Sequence, residues 1–156
     1  MISLNKLETK IPPPVYGLLT AISIWWLDKL LPAFSLLPST VKPLGIFIML
    51  CGFCLDLMAL MQFARQHTSV NPLHPDKADH IVITGLYRYT RNPMYLGMLI
   101  ALCGWCIYIG NIASFACLPV FVWLLTRMQI QAEERILSEK FGQPYTDYLN
   151  QIRRWI

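Results

Sequence analysis

The stretch GLYRYTRNPMYLGML, Gly85 to Leu99, decides how the rest of the chain is read. It holds Tyr87, Tyr89 and Tyr95, then Arg88 and Arg91, and an Asn92-Pro93 step. From Pro93 it runs without a break into an apolar segment that reaches Ile109. Proline is tolerated in a first helical turn, so a helix is expected to start at Pro93, with Asn92 as its N-cap. Arg91 then stands at the positive end of the helix dipole, where a cation gains nothing by itself. A bound carboxylate or phosphate would complement both Arg91 and the free N–H groups of the first turn.

Working outward, the composition fits a lipid environment. The chain has 156 residues, of which 55% are hydrophobic and 14% charged. Its mean hydropathy is +0.45. Soluble domains carry about 25% charged residues, so an all-α integral membrane protein of one domain, residues 1–156, is the expected class. The net charge of +4 is scattered rather than gathered in a stripe, which speaks against nucleic acid as a partner. The N-terminal MISLNKLETKIPPP is polar and proline-rich, and no cleavable signal peptide is expected there.

Spanning a bilayer takes about 20 mainly apolar residues. Four membrane segments are predicted, at about 15–34, 44–64, 93–109 and 112–125. The last two are short, and the Gly110-Asn111 turn signal between them predicts a tight helical hairpin. Residues 65–92 form a polar loop, with Ile81 to Ile83 as extended chain, and 127–156 a polar tail. The tail opens with a helix carrying Ile130, Glu134, Leu137 and Phe141 and ended by Gly142. If the N-terminus is cytoplasmic, every Lys and Arg but Lys29 and Lys42 falls on the cytoplasmic side. Both termini, the loop and the tail then share one face.

The cysteines have a plain reading. Cys51 and Cys54, and Cys103 and Cys106, form two CxxC pairs, but they lie on apolar helices without turn glycines or charged neighbours. Packing explains them better than zinc. His67, His74 and His80 lie in the loop with only Asp76 and Asp79 nearby, so no metal is expected. Asp56 is the one charge inside the second segment; it is either functional or snorkels to the interface. Arg88 reads as an interfacial anchor, and Glu133-Glu134 alone reads as a solvated pair on an exposed helix.

Taken together, HIVITGLYRYTRNPMYLG and EERILSEKFGQPYTDY, in this order and separation, resemble the isoprenylcysteine carboxyl methyltransferase and phospholipid methyltransferase group of integral membrane enzymes. The resemblance covers about Phe63 to Trp155. It implies an S-adenosylmethionine-dependent methyltransferase whose cofactor is held at the cytoplasmic face by the loop and the helix after the hairpin. Carried over, His80, Ile83, Gly85 and Tyr87 line the cofactor, Arg91, Asn92 and Tyr95 form a wall at the helix start, and Glu133 and Glu134 bind its ribose hydroxyls or amino group. Arg91, Tyr95 and Glu134 are the expected catalytic residues. Asn92 stands where many relatives have His, which removes imidazole chemistry there; Leu86 stands where Pro is frequent. The acceptor would be a lipophilic carboxylate, thiol or amine entering from the bilayer. The alternatives are an NADPH-dependent membrane reductase of related architecture, disfavoured by the short chain, and a non-catalytic membrane scaffold.

Overall fold

The computed structural model describes residues 11–65 and 81–156; the side chains of Phe63 and Arg65 are outside that description. The described residues are helical apart from short connections. Helix α1 spans Pro13–Leu30, α2 Lys42–Arg65, α3 Pro93–Ile109 and α4 Cys117–Leu125, followed by α5 Gln131–Phe141 and α6 Gln143–Gln151. Short 3₁₀ turns lie at Pro32–Phe34, Ser39–Val41, Gly85–Arg88 and Ile112–Ala116. Two helical stretches are long and apolar enough to cross a membrane, Ser39–Gln62 and Ile112–Phe141, and Pro93–Ile109 is a shorter apolar helix.

The proline stops are where the sequence puts them. Pro13 opens α1, and α1 ends at Leu30, just before Pro32, four residues short of the expected end at 34. The polar helix expected after Arg127 is continuous with the fourth segment: α4 passes through a π turn at Thr126–Ile130 directly into α5. Nothing in TRMQI breaks a helix, and one wide turn accommodates the change from apolar to polar composition without interrupting the chain of hydrogen bonds. Gly142, at φ +62°, ends α5 in a conformation other residues rarely adopt.

The burial pattern is inverted relative to a water-soluble protein. Large apolar side chains such as Leu18, Trp26, Phe47 and Phe53 are exposed, whereas Thr20, Asn111, Ser114 and Gln129 are buried. Such an apolar surface suits lipid. Two buried hydroxyls are satisfied locally or across helices: Thr20 donates to the Tyr16 carbonyl (2.8 Å) and Ser114 to the Ile24 carbonyl (3.2 Å). Asn111 accepts from Ala113 N–H (3.0 Å) and donates to the Leu31 carbonyl (2.9 Å), which ties the end of α1 to the turn after α3. Trp105 donates to the Ala21 carbonyl (3.1 Å) from α3 to α1.

Helices α2 and α3 run antiparallel and touch backbone to backbone. A Cβ at Gly45 would sit 2.7 Å from Tyr108 N and 2.8 Å from Gly104 O; one at Gly104 would sit 2.6 Å from Gly45 O. A Cβ at Gly52 would sit 2.6 Å from Gly97 O. Small residues at such a seam let dispersion and backbone contacts replace the hydrophobic drive that lipid does not supply. Asp56 lies on the same seam, its carboxylate against Gly97, with buried Oδ1 lacking a hydrogen-bond partner. All five cysteines are free thiols, and Cys106 is buried in the core with Tyr95, Phe121 and Leu125.

Gly52→Ala is expected to destabilise the fold by about 1–3 kcal/mol, the ordinary cost of overpacking. Gly17→Ala is the control, because its Cβ would meet only Met98 Sδ at 3.6 Å. Thermal unfolding in detergent should show a clear drop for the first variant and little change for the second.

Candidate active site

The loop before α3 is held by the end of α2. The Gln62 side chain donates to the Thr84 carbonyl and accepts from Leu86 N–H (3.1 Å). Gly85, at φ +58°, lies directly under this amide, and a Cβ there would strike Gln62. The positive φ favours glycine here, and any other residue would also displace the Gln62 amide. Ile81–Ile83 carries no regular secondary structure, with Val82 buried and Ile83 exposed.

At the start of α3, Arg91 meets Glu134 of α5 (Nη1–Oε1 3.2 Å). Glu134 is also gripped by Arg154, which donates through Nε to Oε1 (3.0 Å) and through Nη2 to Oε2 (2.6 Å). The anion demanded by Arg91's position is thus supplied within the chain. Asn92 occupies the N-cap position, but its side chain does not cap α3. Its amide donates to the Arg154 carbonyl (2.9 Å), because the chain at 153–155 returns across this corner. Arg91 N–H donates to the Arg153 carbonyl (3.0 Å), Thr90 Oγ1 to the Arg154 carbonyl (3.3 Å), and Trp155 Nε1 to Thr126 Oγ1 (3.2 Å).

Glu133 faces a different environment. It lies on α5, beyond the apolar stretch that ends at Leu125, yet it is enclosed. Its Oε1 accepts from the Tyr95 hydroxyl (2.6 Å) and from Gln129 Nε2 (2.9 Å). Burial pushes its pKa up to about 7, and the hydrogen bonds from Tyr95 and Gln129 oppose that shift only in part. The two adjacent glutamates therefore differ: Glu134 is locked in an ion cluster, and Glu133 is set near neutrality.

Tyrosines enclose the corner. Tyr148 donates to the Tyr87 carbonyl (2.8 Å), which fastens α6 to the loop, and Tyr145 stacks obliquely on Tyr148 at 6.0 Å. Burial raises the pKa of Tyr87, Tyr145 and Tyr148, the last to about 12, so all three remain neutral phenols at pH 7. On the apolar side, a cleft of about 350 Å³ lies between α1 and α4, lined by Tyr16, Thr20, Leu27, Cys117, Val120 and Leu124 among others. Tyr16 joins this cleft to the core cluster containing Tyr95 and Met128, and its hydroxyl has no hydrogen-bond partner.

Of the residues expected at the site, Arg91 and Glu134 are in contact, as are Tyr95 and Glu133, and Tyr87 is linked to α6. Gly85 packs on Gln62, and His80 lies outside the described residues, as do His67 and His74. Among the described residues, no three His, Cys, Asp or Glu side chains gather as a metal site. Arg88 and Tyr89 are exposed. Sequence reasoning missed Gln62, Thr90, Gln129 and Arg154. Arg154 entered it only as part of the charge bias, and Gln62 carries no motif.

A model of the phospholipid methyltransferase family matches residues 41–144, two thirds of the chain, and includes the helix seam, the loop and both glutamates. The chain belongs to that family. This phospholipid methyltransferase family member is 27% identical over 112 residues to protein-S-isoprenylcysteine O-methyltransferase A of Arabidopsis thaliana, covering 72% of this chain and 57% of the relative. It is 26% identical over 112 residues to a probable protein-S-isoprenylcysteine O-methyltransferase of Oryza sativa subsp. indica, covering 72% and 59%. An uncharacterized protein of Haemophilus influenzae is 35% identical over 63 residues, which is 40% of this chain and all of that protein. The chain thus spans less than two thirds of the length of the two plant relatives.

Because folding raises the pKa of Glu133 from 4.5 to about 7, the folded state favours the protonated acid. Its stabilising effect is full below pH 4.5 and is lost as pH rises through 7. The thermal midpoint in detergent should therefore fall across that window, and Glu133→Gln should flatten the dependence.

Proposed function

We propose that this family member is a multi-pass membrane enzyme that transfers a methyl group from S-adenosylmethionine to a lipophilic acceptor, with both termini and the active site at the cytoplasmic face. The observation that carries the reading is the polar corner at the start of α3, where Arg91, Glu134, Tyr95 and Glu133 meet directly above an apolar helix. The residues present fit such a donor. Arg91 keeps a buried Nε without a hydrogen-bond partner, a place for a carboxylate oxygen. Glu134 has about four acceptor positions, of which Arg154 takes two while Arg91 pairs with Oε1, so capacity remains for an ammonium group. The loop from Ile83 to Tyr87 offers backbone groups to the adenosine part, and Asn92 and Tyr95 bound the helix start. Aromatic faces suit a sulfonium by cation–π attraction.

S-adenosylmethionine supplies an activated methyl group; the protein's part is to orient, desolvate and exclude water. Methyl transfer is an in-line displacement, governed mainly by positioning. Arg91 and Glu134 fix the donor end, and Tyr95 holds Glu133 at the inner wall. A carboxylate or thiolate acceptor needs little proton chemistry. An amine acceptor must lose a proton, and Glu133, near neutrality, is suited to receive it. The cleft between α1 and α4 provides the route from lipid, and Tyr16 marks where a polar head group would meet the core. The names of the plant relatives favour a prenylated thioether-bearing carboxylate as the acceptor class, and the family name a phospholipid amine; both enter from the bilayer.

Calorimetric titration of detergent-solubilised protein with S-adenosylmethionine tests the reading. Saturable binding is expected, weakened tenfold or more in Arg91→Ala and in Glu134→Ala while helicity by circular dichroism is retained. No binding by the wild type, even with added lipid, would move the assignment to the NADPH-dependent reductase or the scaffold.

A further inference from the structure

Arg154 is the residue at this corner that the methyl-transfer reading does not use. Two guanidinium groups converge on one carboxylate, so the Arg91–Glu134–Arg154 cluster carries a surplus positive charge. Arg91 and Glu134 are enclosed, with side-chain exposure of 12% and 14%, while Arg154 reaches in from the rim with 33% exposed. One arginine would suffice to neutralise Glu134, so the second leaves a net positive charge facing the site. Among the described residues, neighbouring groups do not cancel the surplus. Glu133 bonds Tyr95 and Gln129 rather than either arginine, and Tyr145 and Tyr148 are neutral phenols. Donors also remain unused: Arg154 spends Nε and Nη2 on Glu134, leaving Nη1 outside that pair, and Arg91 Nε is buried without a partner.

We propose that Arg154 is the second arginine of a carboxylate-binding site, set against Arg91 across Glu134, that receives the amino-acid carboxylate of the methyl donor. This rests on the donor being S-adenosylmethionine, and it adds a specificity-determining ligand. Glu134 is the bridge that aligns both guanidinium forks, a geometry matched to a planar carboxylate. Arg154 is carried there by the backbone and not by its own side chain. The Arg153 carbonyl accepts from Arg91 N–H, the Arg154 carbonyl accepts from Asn92 and Thr90, and Trp155 bonds Thr126. Replacing the Arg154 side chain leaves all of these contacts in place.

The test is titration of the full chain in detergent with two ligands: S-adenosylmethionine, and 5′-methylthioadenosine, which lacks the amino-acid carboxylate. Arg154→Gln should weaken the first tenfold or more and leave the second within twofold, and Arg154→Lys should fall between wild type and Arg154→Gln for the first ligand. Equal weakening of both ligands would make Arg154 a structural residue and overturn the proposal. Unchanged or tighter binding of S-adenosylmethionine in Arg154→Gln would overturn it as well. If Arg154→Gln does not fold, Arg154→Lys decides on the same two ligands, a selective loss supporting the site and an equal or absent loss overturning it. Wild-type protein that binds neither ligand would overturn the donor reading, and this proposal with it; wild-type binding without ligand selectivity in the variants overturns this proposal alone.

Discussion

Backbone contact between α2 and α3 is possible only because glycine faces glycine along the seam. Gly45, Gly52 and Gly104 have no room for a methyl group against main-chain atoms of the facing helix, and a methyl group at Gly97 would meet the Asp56 carboxylate and the Gly52 carbonyl. This close approach fixes the relative height of the two helices. The end of α2 then places Gln62 under the loop, and the start of α3 places Arg91 and Asn92 beside it. The polar corner is therefore positioned from within the apolar part of the molecule, where no water competes for the contacts.

On that scaffold, one turn of α5 presents two carboxylates with opposite characters. Neighbouring helical residues point about 100° apart, so Glu133 turns toward Tyr95 and the protein interior while Glu134 turns toward the arginines. Burial acts on the first and ion pairing on the second. The π turn at Thr126–Ile130 matters here, because an extra residue in the turn resets the angular register between the apolar α4 and the polar α5. Gln129 lies in that turn and supports Glu133.

Much of the fold was legible in the chain. Proline and glycine marked the start of α1, both ends of α3 and the end of α5, since their backbone restrictions are local, whereas α1 stops four residues before its expected end. The helix expected to emerge after Arg127 is present, but the π turn at Thr126–Ile130 that joins it to α4 was not legible, because a drop in hydropathy marks a change of environment and not a change of helical pitch. Of the site, Arg91, Tyr95, Glu133 and Glu134 could be singled out from residue type and paired motifs. Their partners could not. Gln62, Thr90, Gln129 and Arg154 act through contacts between segments distant in sequence, and an isolated Gln or a terminal Arg has no periodicity to betray it. The side-chain direction of Asn92 belongs to the same class: an N-cap residue normally bonds its own helix, and only the returning chain diverts it.

That returning chain has a consequence for the order in which the protein is made. Arg154 meets Asn92 and Thr90 across 62 and 64 residues of sequence. Chains emerge N-terminal end first as they are synthesised, and the contact that closes the polar corner joins the start of α3 to residues beyond α6. The seam of α2 and α3 is complete long before Arg154 is synthesised. A nascent chain already settled in lipid would still present Arg91 without the full set of partners that confine it. Assembly of the corner is thus completed only after Arg154 has joined it.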